Sequence, residues 1–578
     1  MNTEFHPLVS IVIPIYNGAN YMREAIDSAL AQTYCNIEVI VINDGSTDDT
    51  EAVAKSYGDR VRYFSKPNGG VSTALNIGIE NMRGDYFSWL SHDDLYCLDK
   101  IEKNLIAVQE YPMRIVYSDY DSIDENGSYI STVSAKNLHR AANYEFGLFP
   151  ILSGLIHGCT LLIHRSQFEK YGLFDENLRT TQDYALFFRM LRGQSLIYIP
   201  EALVKGRNHK KQTTYTSDKT IPECEILWID MFKSLTCDEM RVLGGSKRHF
   251  WINQAPFMKE VTPYEKATAF AYDRLRESTD ELRDGLVSII TPFYNRIPLV
   301  IRSVLSVQQQ SYQNWELILV NDGSTDDISE IESYVSLENR IQLISCTCNS
   351  GVAHARNTGL DAASGTFIAF LDSDDTWEPQ KLKKQLQYML ENNYCASHTN
   401  YYRVDEDGKL LEKVDLSEVQ GDVFKHCLHS CGIDTSCVVV EREFWGDLRF
   451  PQGMDFGEDV CVWLELAWRG QWGHLSEPLT SFCVRDNSAF KDAHKQQLGC
   501  VEILRYVLKN PEWASYQLEI GVLARNFSNM FPRLKLFSRN RTASRSTIPF
   551  RLINAVKRHG TLGVWRIFLH RIKRKLLR

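Results

Sequence analysis

The chain has 578 residues, 44% of them hydrophobic and 24% charged, with a net charge of −9. At about 150 residues per domain, that length excludes a single ordinary core and leaves room for two to four units; the composition fits a soluble globular protein. The charge is unevenly spread, because Arg533 to Arg578 holds 14 Lys or Arg and no Asp or Glu, so the tail is a basic appendage on an acidic body.

The chain opens MNTEFHPLVSIVIPIYN, with neither a basic n-region nor a small-residue cleavage site, so no signal peptide is expected. The 14 cysteines are then expected to be free thiols in a reducing cytoplasm. Leu8–Ile15 is a near-continuous β-branched run, as for a strand buried on both faces. Tyr21–Gln32 has apolar residues at helical spacing. Ile37–Ile42 is a second apolar run, ended by Asn43, Asp44, Gly45 and Ser46. Thr50–Tyr57 reads as a helix, Val61–Phe64 as a strand, Val71–Met82 as a helix and Tyr86–Leu90 as a strand. Phe146–Ile163 is the nearest approach to a membrane span, but Pro150, His157 and three glycines make buried core the expectation. A helix opens at Gln182-Asp183-Tyr184. Residues 216–284 carry helical patterns, including Glu223–Leu235 and Tyr264–Leu282, and are expected to be a spacer. Further on, His426, Cys427, His429, Cys431 and Cys437 have the residue types of a zinc site. They lack paired CxxC spacing and run into CVVVE, so small buried residues around a strand are expected instead.

The chain repeats itself. NDGSTDD occurs at 43–49 and 321–327. VSIVIPIYN at 9–17 matches VSIITPFYN at 287–295 at the same offset, and NGGVSTALNIG at 68–78 matches NSGVAHARNTG at 349–359. FSWLSHDD at 87–94 matches IAFLDSDD at 368–375, and the helix opening with Asp183 matches one opening with Glu458-Asp459. An ordered set at near-constant spacing means a duplicated domain. The strand–helix alternation in each copy predicts an α/β fold with a mostly parallel sheet, whose ligands sit at the carboxyl ends of strands. The three polar motifs fall there.

Asp44 and Asp322 follow buried strands and could accept from the N–H of a flat heterocycle, or serve as turn and cap residues. Asp372, Asp374 and Asp375 crowd three carboxylates behind one strand, an arrangement suited to Mg²⁺ or Mn²⁺ holding a phosphate ligand. The first copy keeps two, Asp93 and Asp94, after Ser91 and His92. Asp183 and Asp459 open helices, as caps or as bases; a negative neighbour such as Glu458 raises a carboxylate's proton affinity, as a base requires. No GxGxxG, GxxxxGK[ST] or GxSxG is present, which argues against dinucleotide, P-loop and serine-hydrolase sites.

Together these motifs resemble the family-2 glycosyltransferases of the GT-A fold, over about 9–215 and again over about 287–490. The resemblance implies a Rossmann-like domain that transfers a sugar from a nucleotide-diphosphate donor, most simply a UDP-sugar, with inversion. It implies that Pro14, Tyr16, Asn17 and Asp44, and in the second copy Pro292, Tyr294, Asn295, Asp322 and Arg356, hold the donor. It implies that Asp93 and Asp94, and Asp372, Asp374 and Asp375, hold one Mn²⁺ or Mg²⁺ per domain, and that Asp183 and Asp459 are the bases. His209, in RNHKKQ at 207–212, resembles a family element near the diphosphate or metal, and Asp486 falls near the equivalent place in the second copy. Leu75 stands where the second copy has Arg356.

The expected organisation is a first copy over 1–220, a helical spacer over 221–284, a second copy over 285–495 and a helical region over 496–578. Leu562, Trp565, Leu569, Ile572 and Leu576 share a helical face flanked by Arg566, Arg571, Lys573, Arg574 and Lys575, as in a membrane-surface helix. The family's acceptors are often lipid-linked glycans. The expectation is therefore a cytoplasmic enzyme, peripheral to the membrane, that extends a capsule- or O-antigen-type polysaccharide; no nucleic-acid partner is expected. The rivals are one active domain beside a degenerate glycan-binding scaffold, and nucleotidyl transfer.

Overall fold

The computed structural model describes residues 5–137, 144–210, 212, 216–454, 456–485, 493–510, 512, 513 and 516. It divides into two compact units, Met1–Leu275 and Arg276–Arg578.

In the first unit β1 (Val9–Ile15), β2 (Ile37–Asp44), β3 (Arg62–Lys66) and β4 (Tyr86–Trp89) form a parallel sheet in the order β3-β2-β1-β4. All seven residues of β1 are buried, as expected of a strand covered on both faces. The helix Val71–Asn81 packs on β1 at Gly78, where an added Cβ would meet Val12 Cγ1 at 2.3 Å. That close approach fixes the helix N-terminus over the end of β2. Strands β5 (Leu95–Tyr96), β6 (Val116–Ile123), β7 (Tyr129–Val133) and β9 (Ile197–Arg207) make a second sheet in the order β5-β9-β6-β7. Strand β8 (Ile163–His164) pairs antiparallel with β4, and one isolated bridge, Val116 to Leu162, joins the two sheets. The segment before it is core: Leu148, Ile151, Leu152 and Leu161 are buried.

Helices Thr220–Ser234, Cys237–Gly244, Lys247–Val261 and Glu265–Asp280 follow. Their residues Trp228, Phe232, Trp251, Met258 and Ala271 share one hydrophobic cluster with β1 and β2. These helices thus belong physically to the first unit as far as Leu275.

The second unit repeats the plan. Strands β10 (Val287–Phe293), β11 (Trp315–Asn321), β12 (Ile341–Ser345) and β13 (Phe367–Phe370) are parallel in the order β12-β11-β10-β13. Gly359 faces Ile290 Cγ2 at 2.4 Å for an added Cβ, as Gly78 faces Val12. Strands β14 (Thr376–Trp377), β15 (Ala396–Val404), β16 (Leu410–Val414), β17 (Val439–Glu441) and β18 (Gly473–Cys483) complete it. Here β15 pairs with β17 through two residue pairs, Ala396–Val440 and Ser397–Val439, so both parts form one continuous sheet. Cys437 is buried in the turn just before β17, and Cys427 is buried in the helix Val423–Ser430. Helix Ala493–Lys509 follows, its Tyr506 hydroxyl donating to Glu465 at 3.0 Å. Among the described residues no helix is long and apolar enough to cross a membrane. The basic helical face at 562–576 lies outside the described residues.

Candidate active sites at the strand ends

Each unit gathers its motifs at the carboxyl ends of its parallel strands. After β1 the chain turns at Asn17, whose positive φ of 49° is one that Asn tolerates. Its backbone N–H donates to Ser46 Oγ at 2.9 Å and its side-chain oxygen accepts from Thr47 N–H at 2.8 Å. Asn295 does the same with Ser324 and Thr325, both at 2.7 Å. In both units the loop after the first strand is therefore latched to the acidic turn after the second. Pro14 and Pro292 are buried just before these loops, while Tyr16 and Tyr294 are exposed.

Asp44 accepts from Gly69 N–H at 2.9 Å and Gly70 N–H at 2.8 Å, and is paired with Lys66. Asp322 accepts from Ser350 N–H at 3.0 Å and Gly351 N–H at 2.8 Å. Both carboxylates thus span successive amides at the start of the following helix, a bracing role that either sequence reading permits.

The acidic loops are built alike. Asp94 accepts from the Arg207 backbone N–H at 2.9 Å and from the Cys159 thiol at 3.3 Å. Asp375 accepts from Cys483 N–H at 2.9 Å and from the Ser436 hydroxyl at 2.6 Å. Both are buried and tie the loop to β9 or β18. Burial pushes both proton affinities up, and Asp93 and Asp374 add to it through their charge. The preceding carboxylates are paired differently. Asp93 Oδ2 lies 3.0 Å from His209 Nε2; burial opposes its ionisation, but the His92 charge and the His209 bond outweigh this and hold it below the usual carboxylate range. Asp374 is paired with Arg485 at 2.5 Å, and burial with the nearby Asp372 charge raises it to about 6. Arg485 lies two residues past Cys483 as His209 lies two past Arg207, so it is the counterpart of His209. Asp486, expected near this place, is the next residue and lies outside the described residues.

The helix-opening aspartates lie on the same side as these loops. In the second unit one short turn, Thr435–Cys437, serves both: Thr435 Oγ1 donates to Asp459 at 3.1 Å and Ser436 Oγ to Asp375. Arg356 ties the two regions again, donating to Glu458 at 2.6 Å and to Asp372 at 2.8 Å. In the first unit His157 stands 3.5 Å from Asp94 and its charge bears on Asp183. Asp183 and Asp459 are half-buried, and burial raises both above the usual range. Glu458 is raised to about 7 by burial and Asp459, and Asp434 to about 8 by burial and Asp372.

The turn residues Asp434 and Ser436, matched by His157 and Cys159, were not singled out from sequence. Their shared signal is faint: GIDTSC and LIHGCT align at nearly the common offset but share few identities. The comparison also exposes a grouped replacement. Arg356, Asp372 and Glu458 form one ionic triad around the buried Arg356 guanidinium; their counterparts are Leu75, Ser91 and Gln182, all uncharged.

The donor sets fit a divalent cation. In the first unit a carboxylate oxygen and an imidazole nitrogen face each other at 3.0 Å. In the second, burial and then the Asp372 charge raise the proton affinity of Asp374, and a cation would relieve the repulsion.

The family model for Glycosyl transferase family 2 matches residues 10–172 and 288–439. An uncharacterized glycosyltransferase of Rickettsia bellii (strain RML369-C) is 44% identical over 517 residues, 89% of this chain and 74% of its own. The Escherichia coli protein named UDP-Glc:alpha-D-GlcNAc-diphosphoundecaprenol beta-1,3-glucosyltransferase WfgD is 37% identical over 183 residues, 32% of this chain and 70% of its own. A crystal structure of S. aureus TarS 1-349 with UDP-GlcNAc covers 47% of this chain and 83% of that chain at 15% identity and a TM-score of 0.37. The two family matches fall one on each parallel sheet with its acidic loop, and the Rickettsia relative spans both. The chain therefore belongs to glycosyl transferase family 2, with that domain present twice.

Proposed function

We propose that each unit transfers a sugar from a nucleoside-diphosphate donor to a hydroxyl of a growing, lipid-linked cell-surface glycan, by one displacement that inverts the anomeric centre. The observation that carries this reading is the turn Thr435–Cys437, which holds the half-buried Asp459 and the acidic loop through adjacent side chains. A base and a diphosphate-binding loop must sit this close to act on one sugar from opposite faces.

Asp459 and Asp183 take the proton from the acceptor hydroxyl; their raised proton affinity suits that step. Tyr16, Asn17, Pro14 and Asp44, with Tyr294, Asn295, Pro292, Asp322 and Arg356, form the donor side. Mn²⁺ or Mg²⁺, held by Asp93 and His209 or by Asp372 and Asp374, supplies charge neutralisation on the departing diphosphate. Asp94 and Asp375 position the loop through the bonds described above. A UDP-sugar donor and a lipid-linked acceptor agree with what the name of the E. coli relative states for that protein. The working place that follows is the cytoplasmic face of a membrane, reached through the basic tail.

The test is transfer from a panel of nucleotide sugars, with and without Mn²⁺, by wild type and by the single variants Asp183→Asn and Asp459→Asn. Each variant is expected to lose one sugar addition. If neither changes transfer, the bases are misassigned; release of pyrophosphate rather than nucleoside diphosphate favours nucleotidyl transfer. The uncharged Leu75, Ser91 and Gln182 favour a second reading, in which the first unit only holds acceptor. In that case only Asp459→Asn abolishes transfer.

A further inference from the structure

Beside the second acidic turn, Asp322, Cys346 and His354 each place one ligand atom within 4.8 Å of the others. The same place in the first unit is filled differently. Asp44 pairs across the sheet with Lys66, whose ammonium neutralises it. Cys346 follows the Asn321–Ser345 pair and donates its N–H to Asn321 O at 2.8 Å, so it stands where Lys66 stands. His354 occupies the helix position of Thr73. The second unit has thus exchanged a lysine and a threonine for a thiol and an imidazole around one buried carboxylate.

Two observations point to a cation. Among the described residues no Lys, Arg or His pairs with Asp322, whereas Asp44 has Lys66. The His354 Nδ1 atom is shielded from solvent and has no hydrogen-bond partner, a costly state for an imidazole nitrogen that a ligand bond would end. One sulfur, one nitrogen and one oxygen are the donor types Zn²⁺ takes, and three protein ligands leave a fourth position for water or an anion.

We propose that Asp322, Cys346 and His354 form a zinc site peculiar to the second unit, standing in for the Lys66 ammonium of the first. Burial and the Asp322 charge keep the Cys346 proton on; binding Zn²⁺ would release that proton to solvent as the thiolate–metal bond forms. Zinc binding is independent of the transferase reading. Its consequence rests on that reading: Asp322 lies on the donor side, so zinc would oppose donor binding in the second unit and leave the first unaffected.

The experiment titrates the metal-stripped full chain with Zn²⁺ against a chromogenic chelator, and with Co²⁺ by absorption. Wild type is expected to bind one more equivalent of Zn²⁺ than Cys346→Ser or His354→Gln. The thiolate-to-cobalt charge-transfer band should weaken in Cys346→Ser. Circular dichroism confirms that each variant is folded. The reciprocal double variant Lys66→Cys with Thr73→His should gain one equivalent, and it decides the matter should the loss variants fail to fold. Unchanged stoichiometry and spectrum in folded loss variants, or no gain in the reciprocal variant, overturns the site. Failure of the transferase reading would leave these metal readouts untouched.

Discussion

Arg356 donates to Glu458 at 2.6 Å while its other terminal nitrogen donates to Asp372 at 2.8 Å, inside the second unit. Two acids on different elements thus share one buried guanidinium. Removing that guanidinium alone strands two carboxylates, a loss that costs about 3–5 kcal/mol. Arg356→Leu is therefore expected to lower the denaturation midpoint of the second unit markedly. The triple variant Arg356→Leu, Asp372→Ser, Glu458→Gln installs the first unit's uncharged set and is expected to recover most of that loss. Urea unfolding of the three proteins checks both signs; equal destabilisation of single and triple variants refutes the coupling.

A base must be ionised to work. Asp459 is raised by burial, with the Asp372 charge adding to it and Arg356 opposing. Transfer by the second unit is therefore expected to fall as pH drops, with the acid limb above the ordinary aspartate range. Replacing a general base removes about 10²–10⁴-fold of rate, so Asp459→Asn should lose that much of one addition and also lose the limb. The pH profile of kcat/KM measures both.

His209 and Arg485 occupy one station yet act oppositely on a cation. His209 can share a metal with Asp93, whereas Arg485 competes with a metal for Asp374. His209→Ala is expected to weaken Mn²⁺ binding by at least the roughly tenfold that loss of an outer-shell partner of a metal ligand costs. Arg485→Ala is expected to strengthen it in the second unit. Calorimetric titration with Mn²⁺ distinguishes the two directions; parallel changes would show that the station has no bearing on metal.

Among the described residues each unit buries one lysine completely, Lys100 and Lys381. Lys100 donates to Ser88 Oγ at 2.6 Å and lies 4.4 Å from the Tyr96 ring centre; Lys381 lies 3.8 Å from that of Trp377. Burial lowers both to about 7 from an ordinary 10.5. The unfolded chain then binds more protons than the native one between those values, so stability rises with pH across that window and is lowest below about 7. Lys100→Met and Lys381→Met are expected to flatten this slope, with a gain on the order of a few kcal/mol near neutral pH. Thermal unfolding between pH 6 and pH 10, about the span of the two values, is the check. An unchanged slope would mean that the lysines stay charged.

Much of the parallel sheet was legible because its strands are buried on both faces and leave unbroken apolar runs. Val9–Ile15 and Val71–Asn81 fall within a residue of their expected bounds. Duplication sharpened the reading, since Asp44 and Asp322 would each pass for an ordinary turn residue. The turn holding Asp434 and Ser436 escaped because it lies about 60 residues from the acidic loop it supports, and its partners differ between copies. The counterpart of His209 was legible only to its neighbourhood, because β18 ends in a segment with little pattern. The helices expected as a spacer over 221–284 share the first unit's core as far as Leu275, which the sequence left open because an apolar helical face does not say which core will cover it.

Carrying both domains on one polypeptide has a consequence for supply. Translation delivers them in equal numbers, and no dilution or change in expression can alter that ratio. A truncation after the first unit would break that fixed ratio, leaving one domain without its companion.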